Sequence, residues 1–169
     1  MIGLGRTGKT IIKKIISAGD LKLVAAVESS KSKNIGKDIG EIIKSRGDYK
    51  ILVGSSDNLL KIINKTKPEV FVDFSTPGAF LKNLPIIAAK RINVVVGTTG
   101  FTKKQIIEIK KYRRKIGILM APNITLGINL LLAMTNLVSK IWPECDVDII
   151  ESHLKRKKDI PSGSAKLLA

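Results

Sequence analysis

The chain has one histidine, His153, two positions after Glu151 and four before Lys157. It lies in the run Glu151-Ser152-His153-Leu154-Lys155-Arg156-Lys157-Lys158-Asp159-Ile160-Pro161-Ser162-Gly163-Ser164-Ala165. Histidine and lysine can both move protons, and lysine can also hold a carboxylate. Ser162-Gly163-Ser164 ahead of a helix offers backbone amides and hydroxyls to an anion. Read alone, the same residues also describe a surface histidine beside a solvated basic loop.

A second constellation is Gly3-Leu4-Gly5-Arg6-Thr7-Gly8, a G-x-G-x-x-G. Glycines let the backbone turn tightly and approach a pyrophosphate, whose charge rests on amides at the following helix N-terminus. Glu28 follows at about the twenty-residue distance at which a carboxylate accepts ribose hydroxyls. Two further strand ends, Asp73-Phe74-Ser75-Thr76-Pro77 and Val96-Gly97-Thr98-Thr99-Gly100, carry small residues that leave room for a nicotinamide ring. Without the other motifs, turns with helix caps are the favoured reading of both. In Ala121-Pro122-Asn123-Ile124-Thr125-Leu126-Gly127-Ile128-Asn129, Asn123 can fix a carboxamide or a backbone turn.

The elements that position these turns alternate between short β-rich apolar runs and helix-period runs, the pattern of a parallel α/β sheet. A helix is expected over Thr10–Ala18, with Ile11, Ile12, Ile15 and Ile16 on its buried side. Leu21–Val27 reads as a buried strand, and the stretch to Asp48 is weakly patterned. Ile51–Val53 reads as a short strand and Asp57–Asn64 as a helix with an Asp or Ser cap. Val70–Phe74 is the next strand, stopped by Pro77 and Gly78, which open a helix toward Lys90. Val94–Val96, a helix over Lys103–Lys115 and a strand at Ile118–Met120 follow. Leu126–Ile141 has the composition of a long buried helix, and Asp146–Glu151 resumes β character. Ligands of such folds bind outside the carboxyl ends of the strands, where the motif turns lie.

Bulk properties agree with a globular protein. The 169 residues are 44% hydrophobic and 26% charged. No apolar run approaches the ~20 residues that spanning a bilayer requires. A glycine turn stands where a secretion signal would be sought, and the single cysteine, Cys145, makes no internal disulfide; a cytoplasmic location is expected. The net charge of +16 raises the question of nucleic acid. Its lysines, however, are spread over nearly every segment, and aromatics are only 4%, too few for base-stacking platforms. A solvated surface that attracts small anions is the preferred reading. Nothing in the sequence asks for a metal.

The run E-x-H-x-x-x-K-x-D-x-P-S-G-[ST]-A from Glu151 to Ala165 resembles the signature of 4-hydroxy-tetrahydrodipicolinate reductases. The order G-x-G-x-x-G, acid, G-T-T-G and A-P-N-x-[ST]-x-G-[IV]-N is similar to that family as well, from Ile2 to Ala169. The resemblance implies a Rossmann-type parallel sheet over residues 1–124, followed by the beginning of an α+β substrate domain over 125–169. It implies NADH or NADPH as cofactor. Ile2, Gly3, Leu4, Gly5, Arg6 and Thr7 would line the pyrophosphate and Glu28 the ribose. Gly97, Thr98, Thr99, Ala121, Pro122, Asn123 and Ile124 would flank the nicotinamide. His153 would be the acid/base group, Lys157 the proton donor, and Gly163 and Ser164 the holders of a substrate carboxylate. The implied substrate is a small dicarboxylate and the implied assembly a homotetramer.

Several positions depart from the pattern. Leu154 stands where many members carry a second histidine, and Ser164 replaces the signature threonine. Ser29 follows Glu28 where some members have an arginine for a 2′-phosphate, with Lys31 and Lys33 nearby, so NADH and NADPH both stay open. Much of the first strand and of the substrate domain is expected to be missing. The alternative expectation is therefore an inactive Rossmann remnant that binds nucleotide or, by charge, nucleic acid.

Overall fold

A computed structural model describes residues 1–121, 123, 125–155 and 160–169. Two compact units divide the chain, Met1–Met120 and Ala121–Ala169.

The first unit is built on parallel strands joined through helices. These are β1 (Ala26–Glu28), β2 (Val53–Ser55), β3 (Val70–Asp73), β4 (Asn93–Val96) and β5 (Ile118–Met120). β1 pairs with β2, and β3, β4 and β5 pair in that order, all parallel. Ile2 bridges to Val27 on one side and to Asp73 on the other, stitching both sets into one ladder. Its N–H donates to Val72 O at 2.9 Å, and its carbonyl accepts Phe74 N–H at 3.0 Å. The spatial order is thus β2, β1, Ile2, β3, β4, β5. Connections run outward in both directions from Ile2, which makes the gap between Ile2 and β3 the switch point where dinucleotides bind in such sheets.

Strand alternation sends side chains to both faces, and a hydrophobic cluster covers each. On one face, Ile12 of α1 (Arg6–Ser17) and Ile39, Ile42 and Ile43 of α2 (Ile39–Ile43) pack with Leu4, Ala26 and Val53. On the other, Leu59 and Ile63 of α3 (Leu59–Thr66) join Phe80, Leu84 and Ile87 of α4 (Pro77–Ala89) and Ile109 of α5 (Lys103–Lys110). Helix starts follow their local chemistry. Asp38 accepts Gly40 N–H at 2.7 Å to cap α2, and Thr76 accepts Ala79 N–H at 3.3 Å to cap α4, whose first residue is Pro77. Thr102 and Gln105 form a reciprocal capping box on α5.

Several expectations need correction. The strand expected from Leu21 pairs only at Ala26–Glu28, and Leu21 is exposed. α2 forms in the weakly patterned stretch, where no helix was expected. The helix expected at Lys103–Lys115 is α-helical to Lys110 and continues as a 3-10 turn over Lys111–Arg114.

The second unit holds α6 (Leu126–Ile141) and α7 (Gly163–Leu168). α6 spans the expected residues but is not buried. Leu126 is 83% exposed, and Leu130, Met134, Leu137 and Ile141 are exposed too. Apolar composition marks a face that needs a partner; it does not supply one. The β character expected at Asp146–Glu151 yields no strand among the described residues. A strand forms only against a neighbour's unpaired backbone, and among the described residues none is paired with these.

Candidate functional site

The first cluster lies at the carboxyl edge of the sheet. Gly3 has φ +85°, and a Cβ there would lie 2.3 Å from the carbonyl oxygen of Phe74. Only glycine lets the turn after Ile2 pass that closely over the turn after β3. A Cβ at Gly8 would lie 1.9 Å from Gly3 O, so this position holds α1 against the turn. Gly5 is different: a Cβ there meets nothing within 4 Å. Its backbone faces open space at the N-cap of α1, and no side chain caps that helix. Uncapped N–H groups at a helix start attract an anion through hydrogen bonding and the helix dipole. The arrangement fits a dinucleotide's pyrophosphate: two glycines serve packing and the middle one leaves the approach clear.

Glu28 ends β1 beside this turn. Its Oε1 accepts Leu4 N–H at 3.2 Å, while Oε2 accepts Asn34 Nδ2 at 3.1 Å and the Ser32 hydroxyl. The acid is therefore oriented by three donors before any ligand arrives. Ser32 and Asn34 were not singled out in the sequence. Their place in a polar loop carries the signal only once Glu28 is known to face them.

Beyond Ile2, the Thr98 hydroxyl donates to Asp73 Oδ1 at 2.6 Å, and the Ser75 hydroxyl donates to the same oxygen at 2.9 Å. Thr98 is buried, whereas Thr99 is exposed. A Cβ at Gly97 would fall 2.1 Å from the Phe74 ring, so glycine lets β4 leave the sheet over that ring.

The second unit contains a separate polar cluster. His153 Nε2 lies 2.8 Å from Glu151 Oε2, and Glu151 Oε1 accepts Ser162 N–H at 2.8 Å. Hydrogen bonds from the Ser162 hydroxyl and then His153 hold the Glu151 carboxyl down at about 2. A carboxylate on one ring nitrogen fixes the orientation of the imidazole. Asn123 Nδ2 donates to Ser164 Oγ at 3.0 Å, and Asn123 Oδ1 accepts Thr125 N–H at 2.9 Å. Ser162 caps α7 through Ala165 N–H at 3.1 Å. The fold thus joins Asn123 to Ser164, residues that the sequence motifs treated separately. Ala121 is half-buried, and Gly163 opens α7 with free space at its Cβ position. Pro122, Ile124 and Lys157 lie outside the described residues.

Residues 1–124 match the family model described as dihydrodipicolinate reductase, N-terminus, and residues 127–169 match dihydrodipicolinate reductase, C-terminus. The chain belongs to the dihydrodipicolinate reductase family. A 4-hydroxy-tetrahydrodipicolinate reductase from Methanocaldococcus jannaschii is 37% identical over 164 residues, covering 96% of this chain and 60% of the relative. The Buchnera aphidicola enzyme of that name is 37% identical over 163 residues, covering 96% and 59%. Among solved structures, a dipicolinate-bound dihydrodipicolinate reductase from Paenisporosarcina sp. TG-14 superposes with a TM-score of 0.76 at 30% identity, over 99% of this chain and 62% of that one. An amine dehydrogenase from Mycobacterium smegmatis shares the fold, with a TM-score of 0.58 at 16% identity over 70% of this chain. The chain spans about 60% of the length of the curated reductases it matches. Its first unit is the NAD(P)-binding Rossmann domain of the reductase family.

Proposed function

We propose that the chain serves NAD(P)H-dependent reduction of 4-hydroxy-tetrahydrodipicolinate to tetrahydrodipicolinate, in lysine and diaminopimelate biosynthesis. The observation that carries this reading is the open backbone of Gly5 at the uncapped start of α1, beside a Glu28 already oriented by Leu4, Ser32 and Asn34. Family membership adds the substrate class, and the solved relative from Paenisporosarcina is bound to dipicolinate, a small dicarboxylate.

In this reading Ile2, Gly3, Leu4, Gly5, Arg6 and Thr7 receive the pyrophosphate, and Glu28 accepts the adenosine ribose hydroxyls. Gly97, Thr98, Thr99, Ala121, Pro122, Asn123 and Ile124 flank the nicotinamide. Loss of the 4-hydroxyl as water, with a proton from the neighbouring ring carbon, leaves a ring double bond conjugated with the imine, and a bound reduced cofactor would supply the hydride that reduces it. The protein positions the reactants and manages protons. His153, oriented by Glu151, acts as acid/base group, and Lys157 gives a proton to the carbon beside the reduced position. Gly163 and Ser164 hold a substrate carboxylate, with Asn123 fixing the Ser164 hydroxyl. The basic charge of the chain draws in both anionic reactants. The exposed apolar residues of α6 support an assembled form, a homotetramer in this reading, and the free Cys145 thiol supports a reducing, cytoplasmic setting.

The test is a reductase assay of purified chain with enzymatically generated substrate and NADH or NADPH. Turnover that disappears in His153→Ala and in Lys157→Ala supports the proposal. Nucleotide binding without turnover leaves only a nucleotide-binding module, and absence of both rejects the reading.

A further inference from the structure

Among the described residues, Asp73 is the only buried carboxylate, fully shielded from solvent at the end of β3. Burying a carboxylate costs stability unless donors surround it. Here the Thr98 hydroxyl donates at 2.6 Å, the Ser75 hydroxyl at 2.9 Å and the Ser75 N–H at 3.0 Å. Burial pushes the Asp73 carboxyl up, against these hydrogen bonds.

Strand pairing does not need this carboxylate. The ladder between β3 and β4 runs from Val70–Asn93 to Asp73–Val96, and Gly97 N–H adds a bond to Asp73 O at 2.9 Å. Beyond that bond both strands give way to loops, carrying Ser75 and Thr98. The Asp73 side chain is the tie between those loops, reaching 25 residues along the sequence.

The position of the tie gives it a use. Glu28 marks the adenosine side at β1, and the start of α1 marks the pyrophosphate. A dinucleotide crossing the switch point must lay its other half over the ends of β3 and β4. We propose that Asp73 is a positioning residue for the nicotinamide end of the cofactor, fixing the Ser75 and Thr98 loops as the walls of that subsite. The inference rests on the nucleotide-binding reading above and adds the residue that shapes one half of the site.

The test titrates the 169-residue chain by calorimetry with NADH and with ADP-ribose, which lacks the nicotinamide. Thr98→Val, isosteric but without the hydroxyl, is expected to weaken NADH about tenfold, the loss of one hydrogen bond. ADP-ribose affinity should change less than about twofold, and Thr98→Ser should restore NADH binding. Asp73→Asn should show the same split between ligands. If Asp73→Asn does not fold, Thr98→Val and Thr98→Ser decide alone. Equal weakening of both ligands, or unchanged NADH affinity, overturns the proposal. A wild-type chain that binds neither ligand overturns the nucleotide reading itself, and the proposal with it.

Discussion

The Glu28 carboxylate accepts the backbone N–H of Leu4 at 3.2 Å, tying the residue that ends β1 to the middle of the glycine turn. The acid and the turn are thereby held as one surface. A negative charge at this point favours ribose hydroxyls over a 2′-phosphate, so NADH should bind more tightly than NADPH. Hydrogen bonds to a charged group contribute about 1.5–3 kcal/mol, so Glu28→Ala should weaken NADH roughly 10- to 100-fold. The same variant should narrow the NADH to NADPH ratio, as read by parallel titrations.

Two glycines of the same turn should respond oppositely to alanine. Gly3→Ala places a Cβ 2.3 Å from Phe74 O at a positive φ, and should cost more than about 2 kcal/mol of stability. Gly5→Ala meets open space at φ −67°, and should change stability by less than about 0.5 kcal/mol while weakening nucleotide binding. Thermal unfolding and titration of both variants separate packing from ligand approach.

The core makes a further prediction. Phe80 is fully buried and stacks edge-on against Phe101, with ring centroids 5.8 Å apart. Phe80→Ala should destabilise the first unit by about 3–5 kcal/mol, through lost burial and the cavity left behind. Urea denaturation followed by circular dichroism would measure it.

The second cluster should respond to acid. The Glu151 carboxyl is lowered from 4.5 to about 2, first by the Ser162 hydroxyl and then by His153. A folded value below the unfolded one means that its stabilisation is present above about pH 4.5 and is lost as pH falls through about 2. Carbon-13 NMR of the labelled carboxyl should give a midpoint near 2, shifted upward in His153→Ala. A wild-type midpoint near 4.5 would show that the contacts to Ser162 and His153 are not made in solution.

Much of the geometry of the candidate nucleotide site is legible in the sequence because its parts are local. Gly3, Gly5 and Gly8 keep a fixed spacing, and Pro77 announces the start of α4. What escaped depends on residues far apart or on missing neighbours. α2 is only five residues long, capped by Asp38 and ended by Lys44 at φ 54°, too short for periodicity to show. The Asp73–Thr98 tie joins residues whose closeness follows from the pairing of β3 with β4, not from spacing. In α6 the apolar composition was readable, but burial is a property of what packs against a helix. Asp146–Glu151 shows the same limit for β character that pairs with nothing among the described residues.

The most direct test of the central claim is a calorimetric titration of wild-type chain and Gly5→Val with NADH, alongside unfolding curves for both. Saturable binding to the wild type, lost in a Gly5→Val variant of unchanged stability, is the predicted result. Equal binding by both proteins, or no binding by a cooperatively folded wild type, would contradict the assignment of the glycine turn as the nucleotide site.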